Sequence, residues 1–339
     1  MKYYPKFVKI FIVMLILSVN PVYSQSTLGD LRDGLEGFSD KLALSLPFNS
    51  TIGLNWSDAY IGQLIDAPPR LGVGFSSGFT TMAFDSAAEL LKQFGADFPG
   101  DIPLVNFGFP MPGYTIDARV GGFMLPFDVG VKFGYLDLKP DVMGPAGEML
   151  NLDLGMHYIL IGGDFRYALI EGEVLPFQLS VGIGFNYMEG GITTTISAGQ
   201  EFKFDDYTLS IPDPKLGLGW RTNCLDLKAQ IAFPLKVITP YAGLGVSHAW
   251  SEVGYSINSK IQVNDGAVNL DEVKHLLEKF GLSGITGNGF EAFRSVTGWS
   301  ARMYGGISFN VPFVRFDLTG MFNFVDAAYG ATFGLRFQL

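Results

Sequence analysis

Charge is scarce in this chain. Asp, Glu, Lys and Arg make up 17 % of its 339 residues, where a soluble domain carries about a quarter, so too few solvated positions remain to cover a water-facing surface. Basic residues are the scarcer sign: 23 Lys and Arg face 33 Asp and Glu, a formal net charge of −10. That balance excludes nucleic acid as a partner, because nucleic-acid binding needs basic patches. One cysteine, Cys224, cannot close an intramolecular disulfide. The three histidines, His157, His248 and His275, lie far apart, so no metal-ligand spacing and no metal or cofactor site is expected. Past the amino terminus, no run approaches the roughly twenty apolar residues of a membrane-crossing helix. If the chain enters a bilayer, it does so as strands.

What is present is alternation. In Val174 to Met188, Phe177, Leu179, Val181, Ile183, Phe185 and Tyr187 share one parity, and Gln178, Ser180, Gly182, Gly184 and Asn186 share the other. Successive strand side chains point to opposite faces, so one face is apolar with aromatics at both ends and the other is small or polar. That suits a lipid band flanked by interfacial rings. Phe127 to Tyr135 and Val314 to Phe324 repeat the pattern.

Met1 to Ser24 reads as a secretory leader: Lys2, Lys6 and Lys9, an apolar run from Ile10 to Leu17, then Val22-Tyr-Ser24 as a small-residue cleavage site. Without those lysines 20 basic residues face 33 acidic ones, or −13. In residues 25–69, Leu28, Leu31, Leu35, Phe38 and Leu42 draw an apolar stripe along a helix. Gly29, Gly34 and Gly37 weaken it by about 1 kcal/mol each, so it needs a surface to lie on. Two places suit it, a barrel interior as a plug or the periplasm as a lead-in, and Thr51 to Leu64 is a candidate extra strand.

Residues 70–339 carry the alternation. Four proline-marked connections punctuate it: Leu125-Pro-Phe127, Leu175-Pro-Phe177, Phe233 to Pro240 and Val311-Pro-Phe313. Proline lacks the amide donor of a ladder bond and favours turns. Between them stand long polar connections at 85–112, 137–153, 189–215 and 251–297. Helical signatures punctuate two of these, Ser86 with Glu89 and Asn269 with Glu272. Short turns on one side and long loops on the other is the asymmetry of outer-membrane barrels, whose short turns face the periplasm. The expected fold is therefore all-β, a transmembrane antiparallel barrel of about ten strands, near 70–84, 113–124, 126–137, 154–169, 174–188, 216–232, 237–251, 298–310, 312–324 and 327–339. A further strand hidden in 192–211 would make twelve.

On the inward parity, or close to it, fall Asp117, Arg119, Asp128, Lys132, Arg166, Asp226, Lys228, Arg302, Arg315, Asp317 and Arg336. Of these, Asp117, Arg119, Asp128, Lys132, Arg302, Arg315, Asp317 and Arg336 are the candidate lumen-lining set. A barrel near eight strands is just wide enough to fill with side chains, so a salt-bridged interior is favoured over a solute pathway. The Gly-x-Gly pairs, Gly72/Gly74 among them, are small inward positions rather than phosphate cradles, because no lysine follows in P-loop spacing.

The chain ends in Tyr329, Phe333, Leu335, Phe337 and Leu339 on one parity. On these residues it resembles bacterial outer-membrane β-barrel proteins, which close on an alternating strand with a terminal aromatic read by the barrel-assembly machinery; Leu339 departs from the commonest terminal phenylalanine. The resemblance implies the bacterial outer membrane as location, its lipid bilayer as surroundings and the assembly machinery as a partner during insertion. In size the barrel also resembles the omptin proteases, but none of their motifs surrounds His157, His248 or His275, and no catalytic residue or enzyme activity is expected. In layout alone it resembles hydrophobic-substrate transporters with an amino-terminal hatch. The leading expectation is a porin-like barrel or one that transports a small solute; the alternative is a non-conducting surface barrel whose outer loops bind a partner or which stiffens the membrane.

Overall fold

The computed structural model describes residues 28–61, 70–82, 109–122, 125–138, 153–172, 175–195, 200–204, 207–211, 215–258, 262–263, 285–286, 289–311 and 313–338. One helix, α1 (Leu28–Asn49), precedes the strands β1 (Leu71–Met82), β2 (Phe109–Gly121), β3 (Phe127–Leu138), β4 (Asp153–Ile170) and β5 (Gln178–Thr195). Then come β6 (Gln200–Phe204), β7 (Tyr207–Ile211), β8 (Lys215–Ala232), β9 (Ile238–Asn258), β10 (Gln262–Val263), β11 (Ile285–Thr286), β12 (Gly289–Val311), β13 (Val314–Asn323) and β14 (Ala328–Gln338).

Ten of these strands close on themselves in the order β1-β2-β3-β4-β5-β8-β9-β12-β13-β14, every neighbour antiparallel, with β14 returning to β1 through Gly72↔Gln338. The closure leaves no open edge, as a bilayer requires, since lipid cannot satisfy a free row of backbone donors and acceptors. Outward parity is apolar: Val129, Val131 and Phe133 on β3, Phe316 and Leu318 on β13, and Phe333 and Phe337 on β14 are all exposed. Those are positions a soluble sheet would cover. The protein is an outer-membrane β-barrel, with the short connections around Leu125, Leu175, Leu235 and Phe313 at its periplasmic end.

The ten-strand wall stands as expected, and four details around it are set by the structure. Residues 51–61 form turns and bends rather than a strand. Pro240 belongs to β9, not to the turn before it. The pairs β5–β8 and β9–β12 run on into 189–195, 251–258 and 289–297, which the sequence pattern assigned to loops. Beyond the end of β5, the strands within 192–211 are β6 and β7, which join β10 in a separate three-stranded sheet, so the wall keeps ten. The leader, the helical signatures at 86–94 and 269–280, and Leu339 lie outside the described residues.

The upper end of the lipid band is marked on β9 and β12. Trp250, His248 and Trp299 face outward together, His248 packing edge-on against both indoles at 4.6 and 4.5 Å between ring centroids. Aromatic girdles of this kind sit at membrane interfaces. The next outward row, Glu189, Arg221, Glu252 and Ser295, is polar and in register across four strands.

Candidate functional site

The interior of the barrel is occupied by the chain's own amino-terminal segment. α1 lies against β9 and β12, with Leu42, Ala43 and Leu46 in an apolar cluster with Met111, Tyr158, Leu160, Met188, Trp220 and Val253 of the wall. Its last turn contains Pro47, whose missing N–H removes one bond of the ladder, and Ser50 N makes the final one to Leu46 O at 2.9 Å. The last carbonyls of the helix, which lie past that final bond, are taken by the next residues of the chain, Ser50 Oγ donating to Pro47 O at 2.9 Å and Thr51 Oγ1 to Phe48 O at 2.7 Å. Gly53 and Leu54, both at positive φ, turn the chain. Gly53 fits because any side chain there would run into Thr115 and Lys132.

Residues 50–61 then cross the lower half of the lumen without regular secondary structure, so their peptide groups need partners from elsewhere. The inward residues of the wall supply them. Lys132 Nζ donates to Ser50 O at 2.7 Å and Ile52 O at 2.6 Å. Asp117 accepts from Leu54 N and Trp56 Nε1, both at 3.2 Å. Gln230 Nε2 donates to Trp56 O and Ser57 O, Arg166 Nη1 to Trp56 O and Asp58 O. Asp128 Oδ2 accepts from Ile61 N at 2.9 Å, and Gln178 Oε1 accepts from Ala59 N at 3.2 Å. Trp56 lies between the guanidinium groups of Arg119 and Arg336, at 5.5 and 5.1 Å from its ring. Room for the indole comes from Gly72 and Gly74, where a β-carbon would meet it.

The remaining charges pair along the wall. Arg119 bridges Asp128 at 2.5 Å and Asp164 at 2.7 Å, Arg166 also holds Asp128, and Lys228 reaches Asp164 at 2.6 Å. Arg302 forks onto Asp226 at 2.7 and 2.9 Å, and Arg336 meets Asp317 at 2.7 Å. Arg315 and Arg336 find their further anion in Asp58, the single charged residue of 50–61; Arg315 Nη1 contacts Oδ1, and Arg336 Nη1 lies 2.9 Å from Oδ2. Gln338 Nε2 donates to the same oxygen at 3.1 Å.

All eight candidate lumen residues are thus buried, and each contacts the threaded segment or another charge; Arg302, three positions from Trp299 on β12, does so higher in the lumen, through Asp226. Sequence reasoning missed Asp58 and Asp164 as members of this network. A small void lined by Trp56, Ser76, Asp117 and Arg336 measures about 10 Å³, room for one water molecule. Cys224 is buried against Pro47 O, 3.8 Å away. His248 stands outside, in the aromatic girdle.

The sequence model of the Lsa36-like family matches residues 71–339, from the first residue of β1 to the end of the chain. The chain belongs to the Lsa36-like family. Among curated proteins nothing matches. Solved structures that resemble this Lsa36-like barrel include the outer membrane protease OmpT of Escherichia coli, 9 % identical, TM-score 0.39, covering 80 % of this chain and 98 % of that one. A major outer membrane protein from Thermus thermophilus is 12 % identical, TM-score 0.31, over 79 % and 99 % of the two chains. Ail of Yersinia pestis, the attachment invasion locus protein, is 10 % identical, TM-score 0.27, over 80 % and 97 %.

Proposed function

We propose that this Lsa36-like barrel is closed to solutes at rest and works at its outer face, where the tall strands β5, β8, β9 and β12 offer a rigid platform for a binding partner. The observation that supports this reading is the use made of the lumen charges: Asp117, Arg119, Asp128, Lys132, Arg315 and Arg336 spend their hydrogen bonds on residues 50–61 or on one another, leaving no hydrated file of charge among the described residues. Loops carried on a rigid scaffold are where binding residues concentrate. Reconstituted full-length protein in a planar bilayer is expected to stay electrically silent. Regular single-channel steps from the unmodified protein would overturn the reading.

A second reading, passage of a small solute once the segment withdraws, draws on two side chains of the upper lumen. The Tyr158 hydroxyl and the Trp220 indole N–H are buried with no hydrogen-bond partner among the described residues, a costly arrangement for a permanent contact. It predicts conductance steps only after residues 50–61 are released, as by Asp58→Asn.

A further inference from the structure

We infer that the amino-terminal segment runs through the barrel from the cell surface inward, so that this protein carries its own amino-terminal end across the outer membrane and displays it outside. The inference rests on the sidedness of the barrel and not on whether the lumen conducts.

The direction is written in the order of contacts. At one end, Tyr60 Oη donates to Glu171 Oε2 at 3.0 Å, and Glu171 lies in the short periplasmic connection between β4 and β5. Ile61 N donates to Asp128, the second residue of β3 after its own periplasmic turn. Moving back along the chain, Trp56 meets Asp117, Lys132 takes the carbonyls of Ser50 and Ile52, Asn49 pairs with Thr80 near the upper end of β1, and Leu44 and Pro47 pack on Gly298.

At the other end, Asp40 Oδ1 lies 3.2 Å from Arg294 Nε. Arg294 stands five positions beyond Trp299 on β12, roughly 16 Å further along the strand, and past the outward polar row at Ser295. It therefore lies beyond the Trp250 and Trp299 girdle, level with the outward-facing Phe293. α1 continues from Asp40 back to Leu28, a further 12 residues or about 18 Å of helix. Along this stretch one face of the helix, Ser39, Leu42 and Ala43, is covered, and the opposite face, Gly37 and Lys41, is exposed.

A helix merely tucked in from the periplasm would have the opposite order, with its early residues among the short turns. Here β1 starts at the periplasmic end, and so does β14's return to it, while the helix that precedes them starts at the outer end. The chain ahead of β1 must therefore be drawn outward while the wall assembles around it. A peptide joined ahead of Leu28 would be exported to the surface with it.

The test is labelling of cysteine variants on intact cells with a bulky membrane-impermeant maleimide. Cys224 is fully buried, so unmodified protein gives the background. Gly37 suits the probe because a β-carbon there meets nothing within 4 Å. Gly37→Cys is expected to show a one-adduct gel shift on intact cells, whereas Lys236→Cys, in the exposed periplasmic turn between β8 and β9, should shift only after the outer membrane is permeabilised. Should either variant fail to fold, an epitope inserted ahead of Leu28 reads the same topology by antibody binding to intact cells. Overturning results would be Gly37→Cys, or the epitope, becoming reachable only after permeabilisation. Conductance with surface labelling would defeat the closed-barrel reading and leave this one standing; silence with a shielded Gly37→Cys would do the reverse.

Discussion

The two halves of the lumen hold the same segment by opposite means. The lower half surrounds an irregular stretch, residues 50–61, with charges that satisfy its peptide groups. The upper half surrounds a helix, whose peptide groups satisfy themselves, with Met111, Leu160, Met188 and Val253. The chemistry of each wall thus follows from the backbone state of the segment it encloses: a helix needs only apolar cover, and an unstructured chain in a dry space needs donors and acceptors placed one by one. The difference also separates two functions of burial. Apolar packing stabilises without choosing among nearby positions, whereas the lower contacts fix which residue sits at which height. Buried ion pairs add little net stability over an apolar filling, yet removing one member leaves the other uncompensated.

The largest expected effect follows from that asymmetry. Asp58→Asn deprives Arg315 and Arg336 of a shared anion and should cost about 3–5 kcal/mol, read as a lower urea midpoint of the folded band on heat-modified gels. It should also loosen 50–61, so the same preparation in a planar bilayer tests whether the lower half is the seal. Wild-type stability in Asp58→Asn would break the comparison. Next comes Leu46→Ala in the upper half. Leu46 is fully buried, and the cavity should cost about 2–4 kcal/mol, but with the lower contacts intact the barrel is expected to remain silent. Conductance from Leu46→Ala and none from Asp58→Asn would reverse the roles assigned to the two halves.

The wall was legible in the sequence, and its contents far less so. Ten strands, the proline turns and the inward parity of Arg119, Asp128, Lys132 and Arg315 all follow from a period of two with lipid on one side. The heights of β5, β8, β9 and β12 did not follow, because the criterion was an apolar outward face. Above the girdle the outward residues become Glu189, Arg221, Glu252 and Ser295, so the strand continues while its apolar signal stops. The path of residues 50–61 leaves no periodic trace at all, since an irregular chain has none. A signal was nevertheless present. Arg119, Lys132, Arg166, Lys228, Arg302, Arg315 and Arg336 outnumber Asp117, Asp128, Asp164, Asp226 and Asp317 on the inward parity, and a buried excess of cations needs an anion and carbonyls from elsewhere. Asp58 and the carbonyls of Ser50 and Ile52 supply them.

The smallest effect sharpens the contrast most, because it changes one oxygen atom in each half. In the lower half the Tyr241 hydroxyl is hydrogen-bonded to Thr319 Oγ1 at 2.5 Å; in the upper half the Tyr158 hydroxyl is buried and, among the described residues, unpartnered. Tyr241→Phe leaves Thr319 without that partner and should lower stability by about 1 kcal/mol, whereas Tyr158→Phe removes a hydroxyl that burial already penalises and should be neutral or stabilising by a similar amount. Both replacements keep the ring, so packing is unchanged and urea midpoints can be compared directly. If Tyr158→Phe proves the more damaging of the two, the upper half contains a polar contact of its own, and the division of the lumen into a gripping half and a merely covering half fails.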